Sequence, residues 1–368
     1  MAHLCNNPAQ PMLAASPSQI TKHANFAERL LNWYDQYGRT DLPWQQPRTP
    51  YGVWVSEIML QQTQVSTVIP YYQHFMARFC TLAELANAPL DTVLGHWTGL
   101  GYYARARNLH KAAQVVMQRH SGQLPNQFDT LLALPGIGRS TAGAIMAQAF
   151  NQFGVILDGN VKRLLCRLHG IDGWPGLTKV QQQLWPLATG YTPQQRLADY
   201  SQAIMDLGAT ICRARQPLCH ACPMQTDCSA WQQQCIHQLP HPKPKRSIPQ
   251  KQVIMLVLRD RQKRVLLQQR PAEGIWGGLW SLPEFATPKT LQAQLTRMGL
   301  AATSGQWVEP IKHAFSHYKL TIAPVLLVTD ISLNPVSGTV PQGWFKRQQL
   351  QAIGLPAPVK KILLAQWG

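Results

Sequence analysis

Apolar residues recur at helical spacing along the first two thirds of the chain and at strand spacing after that. From about residue 20 to residue 207 they follow the i, i+3, i+4, i+7 pattern of amphipathic helices. Short apolar runs at 253–258 and 265–269 flank a polar turn, a pattern typical of paired strands. The sequence therefore predicts an all-α region followed by a separate α+β domain. The predicted helices cover residues 20–38, 65–79, 81–87, 91–98, 161–168, 179–188, 195–207 and 289–298, and a further strand covers 320–328.

Two stretches of biased composition mark the expected domain boundaries. Residues 1–22 are dominated by Asn, Pro, Ser and Gln, which predicts a disordered leader. Residues 229–250 contain the basic run Pro-His-Pro-Lys-Pro-Lys-Arg, which predicts an extended linker. We therefore expect a helical domain over 23–228 and an α+β domain over 251–368.

One break in the helical pattern has the features of a helix–hairpin–helix. Apolar residues lie at helical spacing over 128–132 and again over 142–150. Between them Pro135, Gly136 and Gly138 end the first helix, because proline fixes φ and glycine tolerates a tight backbone. Backbone N–H groups just before a helix N-terminus suit a DNA phosphate. The alternative is an ordinary helical corner.

The charge balance favours a polyanionic partner. The 368-residue chain has 34 Lys and Arg against 17 Asp and Glu, which gives a formal charge of +17 at pH 7. No run of about 18 apolar residues is present, so no membrane-spanning helix is expected. The N-terminal stretch lacks the charged start and apolar core of a signal peptide. We therefore expect a reducing, cytoplasmic setting, a monomer, and no membrane partner.

Four cysteines form a tight array with the spacing Cys212-x6-Cys219-x2-Cys222-x5-Cys228. Zinc and a [4Fe–4S] cluster both accept four thiolates. Zinc sites usually consist of two short cysteine pairs, so the uneven gaps here favour the cubane cluster. Disulfides are disfavoured because no secretion signal is present. Arg213 and Arg215 lie in the first loop of the array, where they would present positive charge to phosphates.

Glu57 is a candidate general acid. In a helix over 51–63, Val53 and Trp54 lie on the same side as Glu57. A carboxyl group packed beside apolar groups resists ionisation and can donate a proton near neutral pH. The alternative is a surface glutamate on an amphipathic helix, although Glu57 is the only acid between Asp41 and Glu84.

A glycine-flanked turn at 99–107 joins two aromatic residues to two arginines. Aromatic wedges and arginines on such a backbone suit insertion into a bent duplex. Buried tyrosines beside solvated arginines are an equally good interpretation of the pattern taken alone. The turn therefore supports a DNA-binding function without establishing it.

The hairpin, Asp158 and the cysteine array together resemble the helix–hairpin–helix DNA glycosylases of the endonuclease III type. Three segments narrow the resemblance to the adenine DNA glycosylases, which remove adenine mispaired with 8-oxoguanine. They are Val-Trp-Val-Ser-Glu-Ile-Met-Leu-Gln-Gln-Thr-Gln-Val over 53–65, Gly-Leu-Gly-Tyr-Tyr-Ala-Arg-Ala-Arg-Asn-Leu-His over 99–110, and Leu-Asp-Gly-Asn-Val-Lys-Arg over 157–163. In that family the C-terminal domain is related to the Nudix hydrolases, and residues 274–280 and 313–318 resemble its characteristic segments.

The resemblance implies a role for each candidate residue. Glu57 would protonate the extruded adenine at N7, and ionised Asp158 would stabilise the sugar cation. The remaining implied sites are the base pocket at Ser140 and Gln202; DNA contacts at Gln61, Gln62, Tyr102, Gly136, Gly138, Lys162, Arg213 and Arg215; 8-oxoguanine recognition by Phe315, Ser316 and His317; and the cluster ligands Cys212, Cys219, Cys222 and Cys228.

Ser140 distinguishes two kinds of chemistry within the superfamily. Its bifunctional members have a lysine nucleophile two residues after the last hairpin glycine, and this chain has Ser140 there. A serine cannot form a Schiff base, so the resemblance implies hydrolysis without strand cleavage.

Two positions depart from the family pattern, because Gln45 stands where arginine is usual and Thr40 where a basic residue is frequent.

Three rival functions remain open at this point. They are a bifunctional glycosylase/lyase for oxidised pyrimidines, a non-catalytic iron–sulfur DNA-binding protein, and a nucleotide hydrolase acting through residues 251–368. The last is disfavoured because a Nudix box needs clustered carboxylates for a divalent metal. No acid lies between Glu284 and Glu309.

Overall fold

The computed structural model describes residues 17–244, 247–300, 305–315, 317–330 and 340–366. They group into two compact units, each built from two segments of the chain. The helical unit belongs to Met1–Tyr72 and Val115–Lys245, and the mixed unit to Gln73–Gln114 and Arg246–Gly368. None of the described helices is both long and apolar enough to cross a membrane.

The regular secondary-structure elements described up to residue 249 are all helical, as the apolar period predicts, and strands begin at residue 250. The helices are α1 (Pro17–Tyr37), α2 (Pro50–Leu60), α3 (Val65–Arg78), α4 (Leu82–Asn87), α5 (Leu90–His96), α6 (Ala104–Arg119), α7 (Phe128–Leu132), α8 (Arg139–Phe150), α9 (Gly159–His169), α10 (Thr178–Tyr191), α11 (Leu197–Asp206), α12 (Ser229–Gln232), α13 (Pro288–Arg297) and α14 (Ala357–Ala365). The strands are β1 (Gln250–Asp260), β2 (Val265–Gln269), β3 (Trp280–Ser281), β4 (Glu284–Phe285), β5 (Gln306–Trp307), β6 (Ile311–Ala314), β7 (Lys319–Thr329) and β8 (Gln342–Phe345).

Three features of the helical unit differ from the sequence prediction. Helix α1 begins at Pro17, inside the stretch predicted to be a disordered leader. Leu132 is 41% exposed, so it does not share the buried face of Leu131. A π-helical turn, Leu207–Ile211, follows α11, and the apolar period did not reveal it. That turn leads directly into Cys212.

The core of the helical unit lies between α1, α9, α10 and α11. Phe26 and Leu30 of α1 are buried there with Leu165 of α9 and Leu184 of α10. The ring of Phe26 packs 4.3 Å from that of Tyr191, centroid to centroid. This packing fixes the position of α9, whose N-terminus carries Asp158.

Helix α8 packs against α2, α7 and α11. Its Gly143 permits a close approach, because a Cβ atom there would lie 2.1 Å from the carbonyl oxygen of Val155. The extended segment before α9 therefore runs directly against α8. A larger residue at 143 would push this segment, and Asp158 with it, away from α8.

The mixed unit is built around a sheet in which β1 and β7 pair in parallel over eleven residues, from Gln250 opposite Lys319 to Asp260 opposite Thr329. The other described pairings are antiparallel, and the backbone order is β3-β2-β1-β7-β5. One face of the sheet is covered by α13 through Leu291 and Leu295. The hairpin predicted between β1 and β2 is present, with Arg259 opposite Val265.

The 99–107 turn is anchored within the mixed unit. Tyr103 donates its hydroxyl to the carbonyl of Leu355 at 3.0 Å, and Arg107 donates to the carbonyl of Gly277 at 2.7 Å. Arg105 is buried and donates to the carbonyls of Leu100 and Gly101, and this burial lowers its pKa to about 10. Both arginines therefore hold backbone carbonyls, and Tyr102, at 50% exposure, is the aromatic side chain of the turn that faces solvent.

One buried ion pair should contribute more to the unfolding free energy of the helical unit than an exposed ion pair does. Asp206 is fully buried and accepts from the backbone N–H, Nε and Nη2 of Arg39 at 2.7, 3.0 and 2.6 Å. Arg39→Ala leaves that charge poorly paired, so we expect a loss of about 3–5 kcal/mol of unfolding free energy in urea titrations. Arg196→Ala breaks an exposed pair with Asp35 and should cost about 1 kcal/mol or less. Equal losses for the two variants would contradict this assignment.

Candidate active site and cysteine cavity

Glu57 lies on α2, which is capped by Thr49 through a hydrogen bond from the Gly52 N–H. Its carboxyl lies deep among protein atoms yet keeps some accessible surface. Burial, together with the negative charge of Asp158, raises its pKa to about 7, while a hydrogen bond from Gln148 acts in the opposite direction. Gln148 of α8 donates through Nε2 to Oε1 of Glu57 at 2.9 Å. The carboxyl is therefore a proton donor near neutral pH.

Asp158 is the N-cap of α9. Its Oδ1 accepts the Val161 N–H at 2.8 Å, and its Oδ2 accepts from the Asn160 side-chain amide at 3.1 Å. Burial raises the pKa of Asp158, while these hydrogen bonds and the charge of Arg163 lower it. The charge of Asp158 raises the pKa of Glu57, and both residues belong to the helical unit.

Ser140 lies in the first turn of α8. Its hydroxyl oxygen accepts the backbone N–H of Leu157 at 2.9 Å, one residue before Asp158. Ser140 therefore ties the hairpin to the segment that carries the catalytic candidate. The structure brings Ser140, Asp158 and Glu57 together around α8, although they are spread over a hundred residues of sequence.

Gln202 and Gln45 are both buried. Gln202 of α11 donates through Nε2 to Asp206 at 2.7 Å and thereby joins the ion pair with Arg39. Gln45 has 6% exposure, and neither Nε2 nor Oε1 of its amide has a hydrogen-bond partner among the described residues. The position where the family usually has arginine is thus filled here by a buried neutral donor and acceptor.

A chain of hydrogen bonds leads from Asp158 to the cysteine array. Asn160 donates to Asp158 and accepts at Oδ1 from Nη2 of Arg163 at 2.9 Å. Arg163 also donates to the carbonyls of Gly208 and Cys212 at 2.6 and 2.7 Å. Asn160, Arg163 and Gln148 are not among the site residues that the sequence predicts, although the first two lie in the 157–163 segment.

The four cysteines of the array line one cavity whose empty space, including its open part, is about 360 Å³. The rest of its wall is mainly apolar and includes Leu164, Ile211 and Trp231. Burial raises the pKa of Cys222 to about 12, and the negative charges of Cys212, Cys228 and Cys219 contribute to that rise. Arg167 donates to Sγ of Cys212 at 3.4 Å. Among the described residues, no three His, Cys, Asp or Glu side chains are placed to hold a metal ion.

The hairpin presents an open face at the N-terminus of α8. Gly136 has φ of 80°, a conformation that favours glycine, and Gly138 is the N-cap, without a side-chain hydrogen bond. Nothing lies within 4 Å of the position that a Cβ atom would take at Gly138. An approaching phosphate would therefore meet backbone rather than side chains.

The other predicted DNA contacts lie at or near the surface. Lys162 is half-buried on α9, and Arg215 is exposed. Arg213 donates to the carbonyl of Gln216, so its backbone loop is braced. Gln61 ends α2 and donates to Thr141 at 3.4 Å, while Gln62 is exposed with φ of 59°.

Phe315 lies in an aromatic cluster of the mixed unit. Its ring centroid lies 5.1 Å from that of Trp276, 4.6 Å from those of His313 and Tyr318, and 6.1 Å from that of His317. His317 is exposed. Ser316 lies outside the described residues.

Two family models match the chain. The model of the HhH-GPD superfamily of base excision DNA repair proteins matches residues 55–189, and that of the NUDIX domain matches residues 254–365. The first match contains Glu57, the hairpin and Asp158, and the second covers most of the sheet.

Curated relatives and solved structures agree with these matches. The adenine DNA glycosylase of Buchnera aphidicola subsp. Baizongia pistaciae is 37% identical over 92% of this chain and 95% of its own length. The human adenine DNA glycosylase is 35% identical over 100% of this chain and 80% of its own. A thermostable thymine-DNA glycosylase is 28% identical with a TM-score of 0.53, over 58% of this chain and 98% of its own. A non-covalent endonuclease III–DNA complex has a TM-score of 0.50 at 20% identity, over 61% and 99%, and shows a shared fold.

Proposed function

The chain belongs to the family of adenine DNA glycosylases, enzymes of base excision repair, and we propose that it hydrolyses the N-glycosidic bond of adenine paired with 8-oxoguanine in duplex DNA. The observation that carries the proposal is the pair of carboxyl groups at Glu57 and Asp158. One is held protonated near neutral pH by burial, and the other is held by amide donors at a helix N-terminus.

Cleavage of a glycosidic bond needs a better leaving group and a stabilised oxocarbenium ion, and two carboxyl groups can share these tasks. The base inside a duplex is out of reach, so the adenosine must first be extruded from the helix. Protonated Glu57 then donates to N7 of adenine and, once ionised, accepts a proton from the attacking water. Ionised Asp158 stabilises the sugar cation. Gln148 supports this cycle because it holds one oxygen of Glu57 and leaves the other for adenine.

The rate of excision should depend on pH through both carboxyl groups. The pKa of Glu57 is raised to about 7, so its acid form predominates below pH 7 and its fraction falls about tenfold per pH unit above it. Asp158 must be ionised, and its raised pKa places the acidic limb above the ordinary value of 3.8. We expect a bell-shaped profile of single-turnover excision rate against pH. A profile that is flat from pH 6 to 9 would contradict the role of Glu57.

Ser140 supports hydrolysis rather than strand cleavage. The hairpin offers a hydroxyl that accepts the N–H of Leu157, where an amine would be needed for a Schiff base. Lys162 is the nearby amine in sequence, and we assign it to phosphate contact. The bifunctional alternative for oxidised pyrimidines is therefore not favoured by any residue of the site.

The aromatic cluster around Phe315 supports recognition of the opposite base. Flat rings and the exposed imidazole of His317 can stack against a purine and donate to its edge. Gln61, Gln62 and Tyr102 are the proposed contacts in the gap left by adenine. Excision should be compared on otherwise identical duplexes with adenine opposite 8-oxoguanine, guanine or thymine, and with an oxidised pyrimidine in place of adenine. The fastest excision opposite 8-oxoguanine supports the proposal, whereas preference for the oxidised pyrimidine would overturn it.

The cysteine cavity fits a [4Fe–4S] cluster. Four thiols line one cavity without converging as a single-ion site, and in a cubane each thiolate binds a different iron atom. When bound, the cluster would supply a structural cross-link between thiolates at neutral pH. Cys212 ends the segment held by Arg163, and the loop that follows presents Arg213 and Arg215. The proposed role of the array is to shape this basic loop for DNA.

Removal of one thiol should remove the metal. We expect about four iron atoms per chain in the wild type and loss of most iron, sulfide and visible absorbance in Cys222→Ser. Cys80→Ser is the matched control, because Cys80 is exposed and outside the cavity. Zinc without iron in anaerobically purified wild-type protein would show that the array is a zinc site instead.

A further inference from the structure

A second pocket opens on the helical unit beside the N-terminus of α9. Its empty space, including the part open to solvent, is about 950 Å³. One wall is the first turn of α9, with Gly159 and Lys162. The other walls are the loop that carries Trp174 and the segment from His237 to Lys243. The pocket shares only Arg167 with the cysteine cavity.

The lining of this pocket is basic. Lys162, His237, His241 and Lys243 line it, and no carboxylate does among its described lining residues. Nζ of Lys243 lies 5.6 Å from the centre of the Trp174 ring. One acid close to the lining is Asp172, whose carboxylate lies 2.9 Å from Nε2 of His241.

Arg163 and Arg167 also line the pocket, but their guanidinium groups hold backbone. Arg163 donates to the carbonyls of Gly208 and Cys212, and Arg167 donates to those of Leu239 and Arg213. They therefore build the wall, and the lysines supply the charges that a ligand would meet.

The wall formed by the predicted linker has a fixed course. Arg167 donates to the Leu239 carbonyl at 2.8 Å, and the His241 N–H donates to the Gly173 carbonyl at 3.2 Å. Ile236 and Leu239 are buried in a small apolar cluster. The basic end of this segment is therefore held beside α9 by hydrogen bonds, unlike a linker without tertiary contacts.

We propose that this pocket binds phosphodiester groups of the DNA strand that carries the extruded adenosine. The inference rests on the proposed function, in which Asp158 faces the sugar of that nucleotide. Gly159, the next residue, already lines the pocket. Each strand of a duplex carries one phosphate charge per about 3.4 Å of axis, so neighbouring phosphates fall within a space of this size. Lys162 and Lys243 contact them, and the Trp174 ring packs against the adjoining sugar.

The test combines two changes that each remove one charge, a lysine of the protein and a phosphate of the DNA. Binding is measured by fluorescence anisotropy with the full chain and a duplex whose target is 2′-fluoroadenosine, which resists cleavage because fluorine destabilises the sugar cation. Single phosphates next to the target are replaced, one at a time, by neutral methylphosphonates. Each duplex is titrated with wild-type protein, with Lys243→Ala, and with Lys361→Ala, a control of equal charge at an exposed position of α14.

We expect Lys243→Ala to reduce the slope of log K against log salt by about 0.9, the value for one phosphate contact. One methylphosphonate position that weakens wild-type binding should have no further effect on Lys243→Ala, while the other positions keep theirs. Lys361→Ala should behave as wild type at every position.

Two results would overturn the proposal. One is that Lys243→Ala binds DNA as tightly as Lys361→Ala. The other is that the affinity lost in Lys243→Ala adds to the affinity lost with a methylphosphonate at every position. A failure of the proposed function would give a different result from a failure of this proposal, because wild-type protein would then release no adenine.

Discussion

Replacement of Glu57 with glutamine is expected to lower the single-turnover rate of adenine excision by about 10²–10⁴-fold while the affinity for the mispaired duplex is retained. Glutamine keeps the oxygen that accepts the hydrogen bond from Gln148, so the pocket should keep its shape. What is lost is the proton that the carboxyl delivers to adenine. Rapid-quench excision and anisotropy binding, measured on the same duplex, separate these two effects.

The loss of excision activity in Glu57→Gln should not result from unfolding, because the substitution is not expected to lower stability at pH 8. The pKa of Glu57 is raised from 4.5 to about 7, so its stabilising protonated form is fully present below pH 4.5 and is lost as pH rises through 7. Glu57→Gln should therefore unfold at the same or a higher temperature than wild type at pH 8. Glu28→Gln, an exposed change on α1, should alter neither excision nor stability. Normal excision by Glu57→Gln would exclude Glu57 as the acid.

The second large effect is expected for Asp158→Asn, with excision slower by about 10²–10³-fold. Asparagine is also a good N-cap and can accept the Val161 N–H, so α9 should persist. The negative charge beside the sugar cation is what disappears. Far-ultraviolet circular dichroism and thermal unfolding check the helix, and quench-flow excision checks the chemistry.

Asp158→Glu keeps the charge but moves it by one methylene group, which serves as the matched comparison. We expect it to retain more activity than Asp158→Asn, since charge rather than the cap decides the rate. Greater activity in the asparagine variant would mean that the cap hydrogen bond is the main contribution of Asp158.

The sequence predicts the elements well because most of them bury one regular face. Helix α9 illustrates this, with Val161, Leu164, Leu165 and Leu168 at helical spacing and all buried. The hairpin is equally visible, since Pro135 and Gly136 leave few other backbone choices. The domain boundaries stay a prediction. Each compact unit of the structure combines two segments that are distant in sequence.

Pairwise partners could not be predicted in the same way. Nothing in local periodicity says that Gln148 would reach Glu57, ninety-one residues away, or that Ser140 would accept the N–H of Leu157. Likewise the 99–107 arginines look like DNA contacts in sequence, and tertiary packing instead directs them at backbone carbonyls. Such contacts depend on which helices pack together, which spacing within one helix does not encode.

The pocket beside α9 makes the same point for the linker. Its proline and lysine content predicts an extended segment, but residues 236–238 form a turn, and the hydrogen bonds from Arg167 and to Gly173 that fix its course are long-range. Composition thus indicates the charge of this segment, and only the fold shows where that charge is placed.

The most direct test of the central claim is the release of adenine from a duplex with adenine opposite 8-oxoguanine, with strand scission followed in parallel before and after alkali. We expect free adenine to appear in one exponential phase, with the labelled strand intact until alkali cleaves the abasic site. Glu57→Gln and Asp158→Asn should slow that phase by about 100-fold or more. Strand scission that accompanies base release without alkali, or adenine release that survives both substitutions, would contradict hydrolysis by this pair of carboxyl groups.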